Sequence, residues 1–199
     1  MTVSIAVLAS GTGSNLQAII DYNARLGAGA SSVITLVASN RASAGALERA
    51  RIAGIPTEVF DASDDGTALL NLLDRHAIGL VVLAGYLRHL PPAVISTYRS
   101  RIINIHPGLL PKFGGAGMYG AKVHAAVIAS GAKSTGVSVH FVDDQFDHGP
   151  LIAQWSLPVL PGDTTDSLAA RVLEVEHLVY PGVVEMVASL HARKFFADY

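Results

Sequence analysis

The sequence predicts an α/β protein: a mostly parallel, twisted sheet flanked by helices, with an antiparallel part toward the C terminus. Three observations predict it. Apolar runs of strand length alternate with stretches of helical periodicity through the first half of the chain. That alternation marks parallel strands joined by right-handed crossovers. The first runs are apolar almost throughout, as in strands buried on both faces. Later the order changes, and two strand-like segments follow one another across a short connection, which favours an antiparallel pair.

Taken in order, Val3–Ala9 is the first strand. Ser10–Asn15 is a turn, and Leu16–Tyr22 opens a helix with Leu16, Ile19 and Ile20 on one stripe. Val33–Ser39 reads as a second strand, followed by a helix over Ala44–Ala53 that Gly54 closes. Thr57–Phe60 is a short third strand and Leu69–His76 a helix. Leu80–Ala84 is a fourth strand ending at Gly85. Pro91–Thr97 is a short helix, because prolines suit a first helical turn. Arg101–Ile105 is the next strand, and Pro107 stops it, since proline has no N–H for the ladder. His124–Ser130 is helical and Gly131 ends it. Gly136–Val142 alternates, and Leu151–Val159 is its antiparallel partner. Thr164–Leu190 is a long helical region that Pro181 should kink or divide. No repeat, low-complexity tract or linker interrupts the chain, so one domain over residues 1–199 is expected.

Composition narrows the function classes. The chain has 199 residues, half of them apolar, enough for a substantial core. A net charge of −2 makes no electrostatic case for nucleic acid or an anionic membrane. With no cysteine, disulfides, thiol catalysis and Cys-ligated zinc are excluded. The first strand lacks the basic flank and cleavage site of a signal peptide, and no apolar run is long enough to span a bilayer. A cytoplasmic protein is expected, acting on small molecules, as a monomer or homodimer.

The most informative stretch is Asn104-Ile105-His106-Pro107. Alternate residues of a strand point the same way, so Asn104 and His106 face one cleft at the C-terminal edge of the sheet. Neither is a strong nucleophile. The pair suits hydrogen bonding to a carbonyl oxygen that gains charge. The turn Ser10-Gly11-Thr12-Gly13-Ser14-Asn15 offers backbone N–H groups and a helix N terminus to an anion. It lacks the third glycine of the dinucleotide fingerprint, with Leu16 there instead, and the acid after the second strand, where Ser39-Asn40 stands. It also lacks the Gly-Lys-Ser/Thr of a P-loop. A small phosphate monoester fits better than NAD or ATP. A tight turn that needs glycine for geometry alone remains an equal reading. The acidic segment Asp143-Asp144-Gln145-Phe146-Asp147 joins the two late strands. Asp147 is the chosen carboxylate, expected beside His106, where it would raise the imidazole pKa and accept protons through a water. Metal binding at His106, His140, His148 and Asp147 is the alternative, without any recognised ligand spacing. His76, His89 and His191 read as ordinary residues. His124 either reaches the cleft or packs or caps. Glu174 and Glu176 can be plain helix charges. Tyr86 to Leu90 would let a flat heterocycle pack on backbone and apolar side chains.

Together the segments GTGSNL (11–16), VVLAGY (81–86), NIHPGLLP (104–111) and GVSVH (136–140), with Asp147–Pro150, Asp163 and Glu176-His177, resemble the phosphoribosylglycinamide formyltransferase family over nearly the full length. These are 10-formyltetrahydrofolate-dependent enzymes of purine synthesis. The resemblance implies the formyltransferase fold, a Rossmann-like sheet. It implies 10-formyltetrahydrofolate as co-substrate and no required metal. It gives Asn104, His106 and Asp147 the catalytic roles. Gly13, Ser14 and Asn15 would hold the ribonucleotide phosphate. Glu176, with Leu173, Glu174 and Val175, would position the glycinamide. Leu87, Arg88, His89 and Leu90, with Asn104 and the Asp143, Asp144, Gln145, Phe146 and Asp147 turn, would hold the folate. In that picture the amine attacks the formyl carbon directly, and His106, held cationic by Asp147, and Asn104 stabilise the oxyanion.

The chain departs from the family in places. Ser63–Thr67 lacks an arginine that many relatives use toward the folate. Gly108 replaces the commoner serine, and Phe113–Gly120 is rich in glycine, as a mobile flap would be. Two rivals are another formyl enzyme on the same scaffold, such as a 10-formyltetrahydrofolate hydrolase or a sugar-amine formyltransferase, and a non-catalytic nucleotide-binding module. The module would not need Asn104, His106 and Asp147 together.

Overall fold

A computed structural model describes residues 2–193; residue 1 and residues 194–199 of the expected domain lie outside the described set. Seven strands form one sheet in the order β3-β2-β1-β4-β5-β6-β7. Its parallel half comprises β1 (Val3–Leu8), β2 (Ser32–Ser39), β3 (Thr57–Val59), β4 (Leu80–Leu83) and β5 (Ile102–His106). β6 (Ser134–Phe141) and β7 (Leu151–Pro158) add to it antiparallel. The helices are α1 (Ser14–Leu26), α2 (Gly45–Ile52), α3 (Thr67–Arg75), α4 (Pro92–Thr97), α5 (Ala121–Ala129) and α6 (Thr165–Ala192). A short 3-10 turn covers Gly27–Gly29.

Both faces of the sheet are covered, as the apolar strands require. Val3, Ile5 and Val7 of β1 point into the core shared with α1, α2, α5 and α6. Ala6 and Leu8 point the other way, into the core shared with α3 and α4. The strand order reverses direction between β1 and β4. That reversal opens a crevice beyond the carboxyl ends of the strands, the usual ligand site of such sheets.

Several expected bounds shift: α3 and β6 begin two residues earlier than predicted and α5 three. α1 begins two residues before the predicted Leu16, because Gly13 is its N-cap and frees Ser14 and Asn15 to be helical. Pro181 does not divide the last helix, which runs unbroken from Thr165 to Ala192. The proline φ is itself helical. On either side Tyr180, Val183, Val184 and Val187 are buried, and that packing outweighs the one lost backbone bond. The helix starts where Thr164 and Ser167 close a capping box.

Candidate active site

β5 carries the central pair. Asn104 and His106 lie two residues apart on it, and β6 pairs with it so that Asn104 faces His140 and His106 faces Ser138. Pro107 follows directly, and β5 ends at His106. A cavity of about 460 Å³ opens at this edge. Its wall includes Thr12, Asn15 and Glu176, then Asn104, His106, His124, His140 and Asp147, and Leu87 to Leu90 with Phe146.

Asp147 is the hub. Its Oδ2 is 3.4 Å from His106 Nδ1, and its Oδ1 is 3.5 Å from His140 Nε2. The Gly115 N–H donates to Oδ2 at 3.1 Å. Asp147 sits in the left-handed region with φ 56°, a conformation aspartate tolerates better than most residues. Burial pushes its carboxyl up, but His140, His106 and the Gly115 N–H together outweigh burial and hold it below the usual carboxylate range. It is therefore ionised at neutral pH.

His106 corrects the expectation made for it. Asp147 does stand beside it, yet the imidazole pKa is lowered, not raised. Burial dominates, the pull of Asp147 and the Phe113 carbonyl opposes it, and His140 adds to the fall. The ring is 3% exposed. Its Nε2 lies 2.7 Å from the Phe113 carbonyl oxygen. A carbonyl only accepts, so Nε2 carries the proton and donates. At neutral pH the ring is neutral with its N–H aimed at Phe113.

His140 has the opposite tautomer. Its Nδ1 is 2.8 Å from the Phe141 carbonyl and so is the protonated nitrogen. Its Nε2 then accepts from Asn104 Nδ2 at 3.1 Å. One Asn104 N–H is thus used to orient the side chain, and the second remains for a ligand. From sequence His140 is a candidate metal ligand and the last residue of the GVSVH segment. The β5–β6 register is what sets it opposite Asn104.

The glycine-rich turn borders the same cavity. Gly13 has φ 77°, and a Cβ there would stand 2.6 Å from Ala46 Cα, so geometry alone requires glycine at this position. Thr12 and Asn15 line the cavity, whereas Gly13 and Ser14 do not. Ser10 ties this turn to the loop after β4. Its hydroxyl donates to Asn40 Oδ1 at 2.7 Å and accepts from the Leu87 N–H at 3.1 Å. Asn15 Nδ2 donates to Glu176 Oε2 at 2.6 Å across α1 and α6. Glu176 is buried, which raises its carboxyl pKa, and Asn15 offsets part of this.

Near this turn, Arg49 carries no local signal in the sequence, and His177 is marked there only by the resemblance. The Arg49 guanidinium, from α2, donates to the Thr12 carbonyl at 2.9 Å and to Gln17 at 3.2 Å. His177 has a buried Nε2 with no hydrogen-bond partner, and burial, then Arg49, lowers its pKa.

The remaining expected positions divide by helical or loop geometry. Leu173 and Glu176, three apart on α6, line the cavity together. Glu174 is exposed and Val175 packs on the core, so neither faces it. Leu87, Arg88, His89 and Leu90 all line it, and His89 lies edge-on to Phe146 with ring centroids 4.7 Å apart. His89 is therefore a wall residue, not an ordinary surface histidine. Asp143, Gln145, Phe146 and Asp147 line the cavity and Asp144 does not. Asp143 instead pairs with His148 at 2.9 Å, so the His148 side chain is engaged away from Asp147. His124 is 4% exposed, lines the cavity and leaves its Nδ1 unpartnered. It neither caps α5 nor hydrogen-bonds the core.

A Rossmann-like sheet with Asn-x-His at the end of an interior strand and a late aspartate at its crevice defines a class, and known proteins share it. Residues 3–184 match the model of the formyl transferase family, and the chain belongs to that family. Within it the chain groups with the phosphoribosylglycinamide formyltransferases. It is 44% identical over 195 residues to the phosphoribosylglycinamide formyltransferase of Escherichia coli strain K12, covering 94% of this chain and 87% of that one. It is 43% identical over 187 residues to the chloroplastic enzyme of Vigna unguiculata, covering 91% of this chain and 59% of that longer protein. Among solved structures, the phosphoribosylglycinamide formyltransferase of Anaplasma phagocytophilum matches with a TM-score of 0.87 at 37% identity, covering 95% of this chain and 88% of that one.

Proposed function

We propose that this protein transfers a formyl group from 10-formyltetrahydrofolate to the amine of N1-(5-phospho-D-ribosyl)glycinamide, a step of purine (IMP) biosynthesis. One observation carries the reading: a single cavity joins the glycine-rich turn, the Asn104–His106–Asp147 group and the apolar wall at Leu87 to Leu90. An acceptor phosphate at the turn and a folate ring at the wall would meet at Asn104 and His106. The relatives that carry this activity in their names match nearly the whole chain.

Each region suits its part. At the turn, the N terminus of α1 and the Arg49 guanidinium supply positive charge for a phosphate. Glu176 and Asn15, both buried at that end, supply acceptors and donors for the sugar and glycinamide. Leu87, Leu90, His89 and Phe146 make an apolar, partly aromatic slot for a flat heterocycle.

The acceptor amine attacks the formyl carbon, and the carbonyl electron pair moves onto oxygen. The His106 Nε2–H and the free Asn104 N–H donate to that oxygen. Collapse of the tetrahedral species expels the folate nitrogen. Asp147, ionised and adjacent, takes the proton from the amine through a water and returns it to the leaving nitrogen. His106 acts here as a neutral donor rather than as a cation.

The decisive experiment is release of tetrahydrofolate in the presence of the purified ribonucleotide. Turnover that requires the acceptor is expected. Hydrolysis of the donor to formate alone, or no reaction with this acceptor, would overturn the reading. His106→Asn should lower kcat roughly a hundred- to a thousandfold, the usual cost of an oxyanion donor, with little change in KM for the ribonucleotide.

A further inference from the structure

The Phe113 carbonyl and the Gly115 N–H come from one short stretch between β5 and α5, and each engages a catalytic group. The Phe113 oxygen accepts from His106 Nε2 at 2.7 Å. The Gly115 N–H donates to Asp147 Oδ2 at 3.1 Å. An oxyanion bound to a histidine donor would lie 2.7–3.1 Å from the same nitrogen, so the Phe113 oxygen occupies the place a reacting formyl oxygen needs. It also accounts for the burial of His106 at a site where a substrate must reach it.

The local sequence allows this close seat. A Cβ on Gly114 would stand 2.3 Å from Leu110 Cδ2 and 2.9 Å from Asp147 Cβ. A Cβ on Gly108 would stand 3.1 Å from His106 Nε2, 3.2 Å from Phe113 Cβ and 2.9 Å from Val123 Cγ1. Gly115 has φ 100°, outside the range of ordinary side-chain-bearing residues. Glycines at 108, 114 and 115 thus let the backbone lie directly on the catalytic pair. The Phe113 ring, 5% exposed in the core, anchors the stretch at one end.

We propose that Phe113 to Gly115 is a positioning strap that fixes the His106 tautomer and holds Asp147, and that the bound formyl donor displaces the Phe113 carbonyl and takes over the His106 N–H. This rests on the reading that His106 donates to the formyl oxygen. In the resting protein the strap keeps the Nε2 proton in place, with His106 Nδ1 3.4 Å from Asp147 Oδ2. Donor binding exchanges one acceptor for another on the same N–H, so the histidine is already oriented when the substrate arrives. The cost falls on donor affinity, because only the released fraction is competent to bind.

The test uses the full chain with ¹⁵N-labelled histidine and backbone. Addition of 10-formyltetrahydrofolate without acceptor should shift the His106 Nε2 and Gly115 amide signals. Asp147, His140 and His124 surround the His106 ring, so the spectra are compared at one fixed pH. Donor binding that moves the Leu87–Leu90 amides and leaves His106 and Gly115 unchanged would overturn the strap. Phe113→Leu, which loosens the anchor of the strap without adding atoms beside His106, should lower the donor KM about three- to tenfold with kcat retained. A lower kcat at unchanged KM would show that the strap belongs to the working conformation and would also overturn the proposal. If that variant does not fold, the wild-type spectra decide alone. A His106→Asn protein that transfers formyl at the wild-type rate would instead sink the reading of His106, whatever the spectra show.

Discussion

At the scale of the residue, the protonation states are the most consequential detail. His106 has a folded-state pKa below its ordinary value, because burial outweighs Asp147 and Phe113. Such a group favours folding above its unfolded pKa, and that contribution is lost as pH falls through the folded value. For catalysis the same direction means a neutral ring at pH 7. The kcat–pH profile should therefore be flat from neutral to alkaline pH, with any loss on the acid side. A decline as pH rises through the ordinary imidazole range would show that a cationic ring is needed after all. Glu176 has the opposite shift: burial raises its pKa. Its contribution is complete below the unfolded pKa and is lost as pH rises through the folded one. Glu176→Gln keeps an acceptor for Asn15 and removes the buried charge. It should be more thermostable than the parent, by an amount that grows from acid to neutral pH, while KM for the ribonucleotide rises. Melting curves at several pH values check the first, and initial rates the second.

At the scale of the element, β6 is the most constrained strand. It separates β5 from the edge strand β7, and both of its faces are buried. Ser138 hydrogen-bonds on its polar face to the Gly108 carbonyl and the Leu110 N–H, which ties β6 to the chain after His106. Gly136 is needed because β7 crosses close by: a Cβ there would lie 2.0 Å from the Trp155 carbonyl oxygen. Gly136→Ala must push β7 aside and should cost about 1–3 kcal/mol, the usual range for overpacking. That corresponds to a fall in Tm of roughly 2–12 °C for a chain of this size, read by calorimetry. An unchanged Tm would mean that β7 is not held where the ladder places it. On α6, the three-residue spacing of Leu173 and Glu176 turns both to the cavity, while Glu174 and Val175 face elsewhere. A run of four consecutive helical residues cannot line one cavity, which is why only half of the segment expected at the substrate does so.

At the scale of the whole molecule, one sheet carries the glycine-rich turn, the strand with Asn104 and His106, and the wall at Leu87 to Leu90. The Ser10 and Asn15–Glu176 hydrogen bonds tie those parts across distant segments. A single cooperative thermal transition is therefore expected, and two separate transitions would contradict the single-domain assignment. Ribonucleotide at a hundred times its dissociation constant should add about 2.7 kcal/mol and raise Tm by roughly 5–11 °C. Glycinamide riboside, which lacks the phosphate, should raise it far less. Equal shifts from the two would remove the glycine-rich turn and Arg49 from the phosphate assignment. No helix among the described residues is long and apolar enough to cross a membrane.

The sequence by itself determined the order of strands and helices, the change from parallel to antiparallel pairing, and the Asn104–His106 pair. Each of these is written in local periodicity or in a turn residue such as Pro107 or Gly13. Tertiary structure decided what those residues do to one another. It brought His140 to Asn104 through strand register and Arg49 to Thr12 from another helix. It also laid the Phe113 carbonyl on His106. The sign of the His106 shift belongs to that second group. A neighbouring aspartate can be guessed from a sequence, but the balance between its charge and the loss of water depends on how completely the fold closes over the ring.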